Sequence, residues 1–523
     1  MNDNYLPIDL SKQSIEYMNS NYDNINLVKI IEKEYFTEIQ NFLIENFIFF
    51  FDKKKYNIFH AKIWDVVSYI SKILIVTDKI NYIKKKTIIP IYNKATNPIF
   101  NIIFNSINLD SDDYSFLLNE KYNNSFSSLI NIKFKLLSLL SSEDTKLTFM
   151  KNLFLDEIIS KSNFKEININ FHRIYSMKFS SNLSNELEDL INQYVNTIFQ
   201  KANINLEKIN KKIFKNILIK IIRFHLLEIT QFQNFLNRNK YLFKFNHFMS
   251  GSPKFWGRLI SLHYLENGKQ VSRYAHSLDR VFFNDPLFKY SEYIFTKNYY
   301  LPSFNSSLAV KNLIKKNKYD KFQFDKINFK SFNSSFYKTR YTEKKSKNKK
   351  KINVLYCSST YLYEKNLAFP NDRIEMTNYY EWQSWMLNYL KKQDLKLFFK
   401  KHPKSFYEYN QNIDFNVNSL SISRGFSDEE IQNFDIIVFD YAGSLLFETM
   451  SSNIGIIFID FGCREWNSYN KDIFSSRCEI IETFFDENYK YRINTVELNE
   501  KLNNAYKFNH FKNEYLNKYV FEK

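Results

Sequence analysis

Two stretches of the chain carry residue types able to bind and move charged groups. The first is Lys400-Lys401-His402-Pro403-Lys404-Ser405. Proline forces the residue before it out of the helical region, so His402 is presented on extended chain just past the apolar run Leu395 to Lys400. An imidazole exchanges protons near neutral pH, and the lysines around it attract anions. The second stretch, Phe434 to Gly462, supplies Asp440, Tyr441, Gly443, Ser444 and Glu448. Gly443 permits close backbone approach, Ser444 is a good helix N-cap, and the free N–H groups of a helix start point at an anion. A phosphate or diphosphate is the simplest ligand for such a set.

The elements that would position these groups can be read from apolar periodicity. Asp435 to Phe439 is an Ile- and Val-rich run typical of a buried parallel strand, Leu445 to Met450 has helical spacing, and Ile454 to Ile459 is the next strand. Ile352 to Tyr356, the helix Tyr379 to Leu390 with Trp382 and Trp385 in the core, and Leu395 to Lys400 form a second β-α-β unit. Upstream, Tyr241 to Phe248 reads as a strand ending at Ser250-Gly251-Ser252-Pro253. Phe255 to Asn267 reads as a helix stopped by Gly268, and Lys269 to Tyr274 as a strand entering Ala275-His276-Ser277. Ligands of doubly wound sheets bind outside the carboxyl ends of the strands, which is where His276, and Asp279 just beyond it, would stand. Asp285 is a further acidic candidate, although Pro286 marks it as a turn residue. Arg464 and Arg477 read either as diphosphate partners or as salt-bridge donors.

Lys400, His402, Pro403, Asp435, Asp440, Tyr441, Ser444, Phe447 and Glu448, in this order, resemble the carboxyl-terminal half of the GT-B transferases that build bacterial surface polymers. The closest resemblance is to the CDP-glycerol glycerophosphotransferase family of teichoic acid polymerases. Capsule Kdo transferases and bacterial sialyltransferases are more distant and share a His-Pro element. The resemblance covers about Gly268 to Gly462. It implies an α/β, GT-B-like fold: two Rossmann-like domains facing a cleft, with a large mostly helical N-terminal region added. The expected divisions are 1–230 for the helical region and 231–310 for an acceptor-side domain completed by N-terminal elements. A Lys-rich linker or loop at 311–351, a nucleotide-donor domain at 352–500 and a C-terminal helix at 501–523 follow.

In that family the strand corresponding to 269–274 ends in His-Gly, whose histidine is viewed as a catalytic base. Here His276-Ser277 replaces it, and Ser291-Glu292-Tyr293-Ile294 stands where the family has an S-D-x-x segment. The resemblance further implies that Ser358 and Ser359 lie in a polar loop facing the donor. The expected activity is transfer of a sugar or polyol phosphate from a nucleotide-activated donor, CMP- or CDP-linked, to a growing surface polysaccharide or other glycan. His276, or alternatively Asp279, would take the acceptor proton. His402, with Lys401 or Lys404, would donate to the donor phosphate, which Ser444 and its helix N-terminus would also hold. Lys400, Asp440, Tyr441 and Arg464 complete the donor set, and Glu448 would reach the ribose. No cofactor or metal is required. The partners would be a nucleotide-sugar or CDP-polyol donor and a glycan or lipid-linked acceptor.

Composition narrows the alternatives. A chain of 523 residues exceeds one ordinary core. The net charge of +17 suits nucleic acid, an anionic membrane surface or a phosphate-bearing substrate. No zinc spacing, RNA-recognition strand motif or helix-turn-helix pattern supports nucleic acid, which stays as the rival class beside a noncatalytic GT-B-like partner in a polymer-assembly complex. Cys357, Cys463 and Cys478 have no metal-ligand spacing and fit a reducing cytoplasm. Neither a signal peptide nor an apolar run of membrane length is read, so a cytoplasmic protein is expected, peripheral at the inner face of the membrane. The D-x-D string within residues 110–113 reads as a turn or cap. The helix around Ile209 to Ile222 reads as core-facing with a basic outer side, a membrane-surface helix being the alternative. The lysines of 344–351 read as an exposed run able to rest on anionic lipid.

Overall fold

In the computed structural model the short β-branched and aromatic runs become strands, and most are buried on both faces. The structure describes residues 5–21, 33–52, 54–92, 94, 98–109, 145–149, 153–161, 165–168, 183–201, 209–251, 255–315, 326–339, 351–359, 374–402, 415, 417–420, 428–507 and 513–522. Pro403, Lys404, Ser405, residues 110–113 and 344–350 lie outside them.

The chain opens with β1 (Tyr5–Pro7), α1 (Lys12–Ser20), α2 (Lys33–Phe50), a 3-10 stretch Lys54–Lys62, α3 (Ile63–Lys86), β2 (Ile89–Ile91) and α4 (Pro98–Phe104). Next come β3 (Lys146–Phe149), α5 (Leu153–Ser160), β4 (Glu166–Asn168), α6 (Asn185–Lys201) and α7 (Lys211–Arg238). The chain then forms β5 (His247–Ser250), α8 (Phe255–Glu266), β6 (Gln270–Tyr274), α9 (Asp279–Phe282), β7 (Phe283–Asn284), β8 (Asn298–Leu301), α10 (Phe304–Lys315), β9 (Asn328–Ser331) and α11 (Phe336–Thr339). A second series holds β10 (Ile352–Cys357), α12 (Met376–Lys391), β11 (Leu395–Lys400), β12 (Asn418–Leu420), α13 (Asp428–Ile431), β13 (Ile436–Phe439) and α14 (Ser444–Met450). It ends with β14 (Gly455–Asp460), β15 (Glu465–Trp466), α15 (Lys471–Ser475), β16 (Glu479–Glu482), α16 (Thr495–Tyr506) and a π-helical segment Leu516–Phe521.

Two six-stranded sheets result, ordered β4-β3-β5-β6-β8-β9 and β12-β11-β10-β13-β14-β16. Every pairing within them is parallel. The second sheet winds outward from β10 through β11 and β12, then returns to the other side of β10 with β13, β14 and β16. Its direction therefore reverses between β10 and β13, where Tyr356 pairs with Val438 and Cys357 with Phe439. This is the order of dinucleotide-binding sheets, whose ligands lie at that reversal. The α/β plan with two Rossmann-like sheets is the one the resemblance implied.

Residues 146–168 supply β3 and β4 to the first sheet from within the mostly helical N-terminal stretch. The strand expected from Tyr241 begins only at His247, because 240–243 form a 3-10 turn. Leu242 is buried from that turn and mimics strand alternation in the sequence. In α7, Asn210 caps the first turn by accepting from Lys212 N and Ile213 N, and Ile213, Phe214, Ile217, Leu218 and Ile221 are buried in protein. Its apolar stripe is thus spent on the core and not on a membrane, each such side chain stabilising by about 1.5–3 kcal/mol. Among the described residues no helix is long and apolar enough to cross a membrane.

The opening segment packs where sequence gave no hint. Leu10, Ile15 and Met18 join the core of the second sheet beside Tyr356, Tyr379 and Trp382. Tyr380 donates to Asn19 Oδ1 at 2.9 Å, and Lys79 of α3 forms a buried ion pair of 2.7 Å with Glu375, the residue that caps α12.

Candidate active site at the carboxyl edge of the second sheet

Strands β10, β13 and β14 each run apolar to their last residue and then meet a polar one: Ser358, Asp440 and, closing β14, Asp460. Asp440 is buried at the reversal point. Its Oδ2 accepts from Tyr356 OH at 2.6 Å, Tyr379 OH at 2.6 Å and Gln383 Nε2 at 3.2 Å, and its Oδ1 accepts from the backbone N–H of Ser359 at 2.8 Å. Burial pushes this carboxyl above the ordinary range, against the pull of those four neutral donors. Trp382 Nε1 donates to Tyr356 OH at 3.0 Å, so α12 is tied into the same network. Asp460 accepts from Gly462 N and Trp466 Nε1, both at 2.7 Å, and Gly462 turns the chain at φ +66°, a left-handed conformation suited to glycine.

These strand ends floor a small, open-mouthed cavity of about 40 Å³. Ile374, Tyr379, Phe458, Ile459 and Phe461 give it apolar walls, and Ser359, Asp440, Tyr441, Asp460 and Arg464 give it polar ones. Phe283, from the first series of elements, closes one side. There β7 pairs antiparallel with β15 and Phe283 lies 4.5 Å from Trp466, ring centre to ring centre.

Arg464 crosses the same junction. It is buried, with Nη1 3.4 Å from Asp279 Oδ2 and Nε 3.5 Å from Asp285 Oδ2, and it donates to Tyr441 OH while its plane lies over the Tyr441 ring. Asp279 also accepts from Arg280 and from Ser277 Oγ. Burial would push the Asp279 carboxyl up, but Arg280, Arg464, Ser277 and His276 together hold it below the ordinary range. A carboxylate so paired is a weak base, and a guanidinium shared by two carboxylates has little charge left for a diphosphate. Because Asp279 follows the carboxyl end of β6 and Arg464 follows that of β14, the carboxyl edges of the two sheets meet at this cavity.

Of the donor residues expected from sequence, the structure gathers Ser359, Asp440, Tyr441 and Arg464 around the cavity, and the remaining described ones do not line it. Lys400 is buried at the end of β11, where burial holds its ammonium below the usual range. Lys401 and His402 follow it, half-buried. The end of β11 lies two strand spacings, about 10 Å, from the end of β13. Between them, Ser358 at the end of β10 donates its N–H to Lys400 O at 3.2 Å. His276 is exposed beyond β6. Gly443, not Ser444, occupies the cap position of α14, extended at φ −94° and ψ −178°, and no side-chain hydrogen bond closes that helix start. With 7 residues, α14 offers only a short helix dipole. Glu448 sits half-buried on α14, away from the cavity lining.

Two sequence candidates have structural duties instead. Arg477 is buried and donates to the carbonyls of Met450, Ser452 and Ile454, which finishes the end of α14. Glu292, in the segment compared with S-D-x-x, is buried and holds Arg280 through both carboxylate oxygens while accepting from Tyr299 OH at 2.7 Å. Sequence reasoning passed over Asp460, Tyr379 and Phe283. Asp460 ends a parallel strand just as Asp440 does and could have been found by that likeness, whereas Phe283 carries no such signal. Among the described residues no cluster of three or more His, Cys, Asp or Glu is placed to hold a metal.

No protein-family model and no curated protein matches the chain. The resemblance to the CDP-glycerol glycerophosphotransferase family is thus carried by no family model. Among solved structures, it is similar to the S. aureus MnaA–UDP co-structure at 12% identity, covering 72% of this chain and 92% of that one with a TM-score of 0.36. It is also similar to UDP-GlcNAc 2-epimerase from Methanocaldococcus jannaschii at 10% identity, covering 71% and 95% with a TM-score of 0.33. Likeness of this size assigns no activity.

Proposed function

We propose that the chain is a nucleotide-donor-dependent transferase that moves a sugar or polyol phosphate from a CMP- or CDP-linked donor to a bacterial surface glycan, working at the cytoplasmic face of the membrane. The observation that carries this reading is the cavity at the β10–β13 reversal, bounded by residues that follow the strands of the second sheet and by Phe283 of the β7–β15 ribbon. Its apolar walls suit a nucleobase, and carboxylates on the floor suit ribose hydroxyls better than phosphate. The charged tail of the donor would therefore leave the floor toward the β11 edge, where Lys401 and His402 stand. His402 would protonate the departing phosphate, and His276, exposed at the opposing edge, would take the acceptor proton. Asp279, paired as it is, serves in this scheme as a positioning group for Arg464.

The reading is tested by thermal-shift titration with CDP, CMP and UDP, followed by donor hydrolysis. His402→Ala and His276→Ala should each keep the nucleotide-induced shift and lose about 10²- to 10⁴-fold in turnover. Absence of any nucleotide-induced shift in the wild type would sink it. A second reading, a noncatalytic GT-B-like partner, is favoured by the mutual neutralisation of Asp279 and Arg464. It predicts nucleotide binding without turnover in the wild type.

A further inference from the structure

We infer that a groove beside the cavity, on the far side of the β7–β15 ribbon, binds a hydroxyl-rich chain carrying phosphate or carboxylate groups. Its role as the acceptor track rests on the transferase reading; the binding itself does not. The groove has a volume of about 590 Å³ and lies between α10, the loop after β15 and the segment Leu516–Phe521. Its useful groups are Asn305, Leu308, Asn312 and Lys315 of α10, with Tyr469 and Lys518 opposite.

Three observations point to this ligand chemistry. First, the Tyr469 side chain is 69% exposed although its loop is anchored. Asn467 N donates to Phe282 O at 2.7 Å, and Asn467 Nδ2 and Asn470 Nδ2 both donate to Val281 O, at 3.1 and 2.8 Å. A large ring on a pinned backbone, lining the same groove as Leu308 at 44% exposure, is a prepared platform for the C–H face of a sugar or polyol. Secondly, among the described residues Lys315 and Lys518 are the charged ones of the lining, which includes no carboxylate. At the start of α10 the N–H of Asn305 donates to an anion of the chain's own, Glu522 Oε1, at 3.1 Å. Thirdly, the groove lies close to the candidate active site along the chain. Arg464 lines the cavity and Asn467 lines the groove, and only the two residues of β15 separate them, about 10 Å of extended chain. One polymer can therefore lie in the groove and present its end at the cavity.

The test uses the full chain and two probes, glycerol-phosphate oligomers and oligosialic acid, with uncharged dextran oligomers as comparator, titrated by calorimetry. At least one anionic probe should bind more tightly than dextran. Tyr469→Ala should weaken that binding about tenfold, and Lys518→Gln should weaken it less and reduce its salt dependence. Tyr469 is exposed, Lys518 is half-buried, and neither lines the donor cavity, so the nucleotide-induced thermal shift should stay unchanged in both variants, which separates this groove from that cavity. Anionic-probe binding that persists while no nucleotide binds would leave the groove standing and remove the donor reading. The inference is overturned if neither anionic probe binds, if dextran binds as well as they do, or if the double variant binds like the wild type. Loss on Tyr469→Ala of binding to phosphatidylglycerol vesicles alone would also overturn it, in favour of a membrane contact.

Discussion

Asp279 and Asp440 occupy comparable places, each just past a strand end on the inner edge of a parallel sheet, yet their surroundings are opposite. Asp279 is met by two guanidinium groups, and the network extends through Arg280 to Glu292 and Tyr299. Asp440 is met by two phenols, an amide and a backbone N–H, and no cation is among those donors. Charge pairing on the first edge holds the carboxylate ionised and seals the edge. Neutral donors on the second leave the carboxylate costly to ionise and hold the strand ends apart around a cavity. The same fold thus makes one edge into a joint and the other into a binding floor.

The contrast can be broken most severely at the joint. Glu292→Ala leaves Arg280 buried with half its partners and should cost about 3–5 kcal/mol in urea unfolding. A loss below about 1 kcal/mol would mean that the first edge is not held by its ion pairs. A smaller effect separates the two ends of the second sheet. A Cβ at Gly455 would lie 2.2 Å from the carbonyl oxygen of Ala505, while one at Gly443, beside the cavity, would meet the Tyr441 ring at 3.2 Å. Gly455→Ala should therefore destabilise by about 1–3 kcal/mol and Gly443→Ala by less, since a ring gives way more readily than backbone. Equal losses would contradict an open cavity edge.

The smallest expected effect is a pair of opposed pH slopes. The Asp440 carboxyl is raised in the fold, so its contribution to stability is full below the ordinary 3.8 and is lost as pH rises through its higher folded value. Asp279 is lowered, so its contribution is present above 3.8 and is lost as pH falls through its lower folded value. Asp78, pushed up to about 6 by burial, adds a slope of the Asp440 sign and is best removed first as Asp78→Asn. In that background Asp440→Asn should flatten the loss on the alkaline side and Asp279→Asn the loss on the acid side. Slopes of the same sign would end the comparison.

What the sequence disclosed follows from local physics. Parallel strands buried on both faces read as apolar runs, so β13 and β14 were visible outright and β10 and β11 as apolar-rich stretches, and with them the strand ends that carry Ser359, Asp440 and Tyr441. Strands β3 and β4, KLTF and EIN, are too short and too polar to stand out, and only their neighbours make them strands. The cap of α14 was misplaced by one residue because Ser444 has the better capping side chain, yet Gly443 adopts the extended backbone. The sequence left Arg464 open between a diphosphate and a salt bridge, and it gave no sign of which carboxylates would pair with it. Its partners Asp279 and Asp285 are remote in sequence, and no periodicity encodes an ion pair across a junction.

The docking of α1 on the second sheet has a consequence for how the polypeptide is made. Ile15 and Met18 leave the ribosome long before Tyr356, Tyr379 and Trp382, with which they share a core. At bacterial-to-eukaryotic synthesis rates of about 5–20 residues per second, that wait lasts roughly 20–70 seconds. During it the earliest helix has no permanent seat, and its apolar face is a natural handhold for a chaperone. Splitting the gene between the two sheets would strand that helix on the wrong fragment.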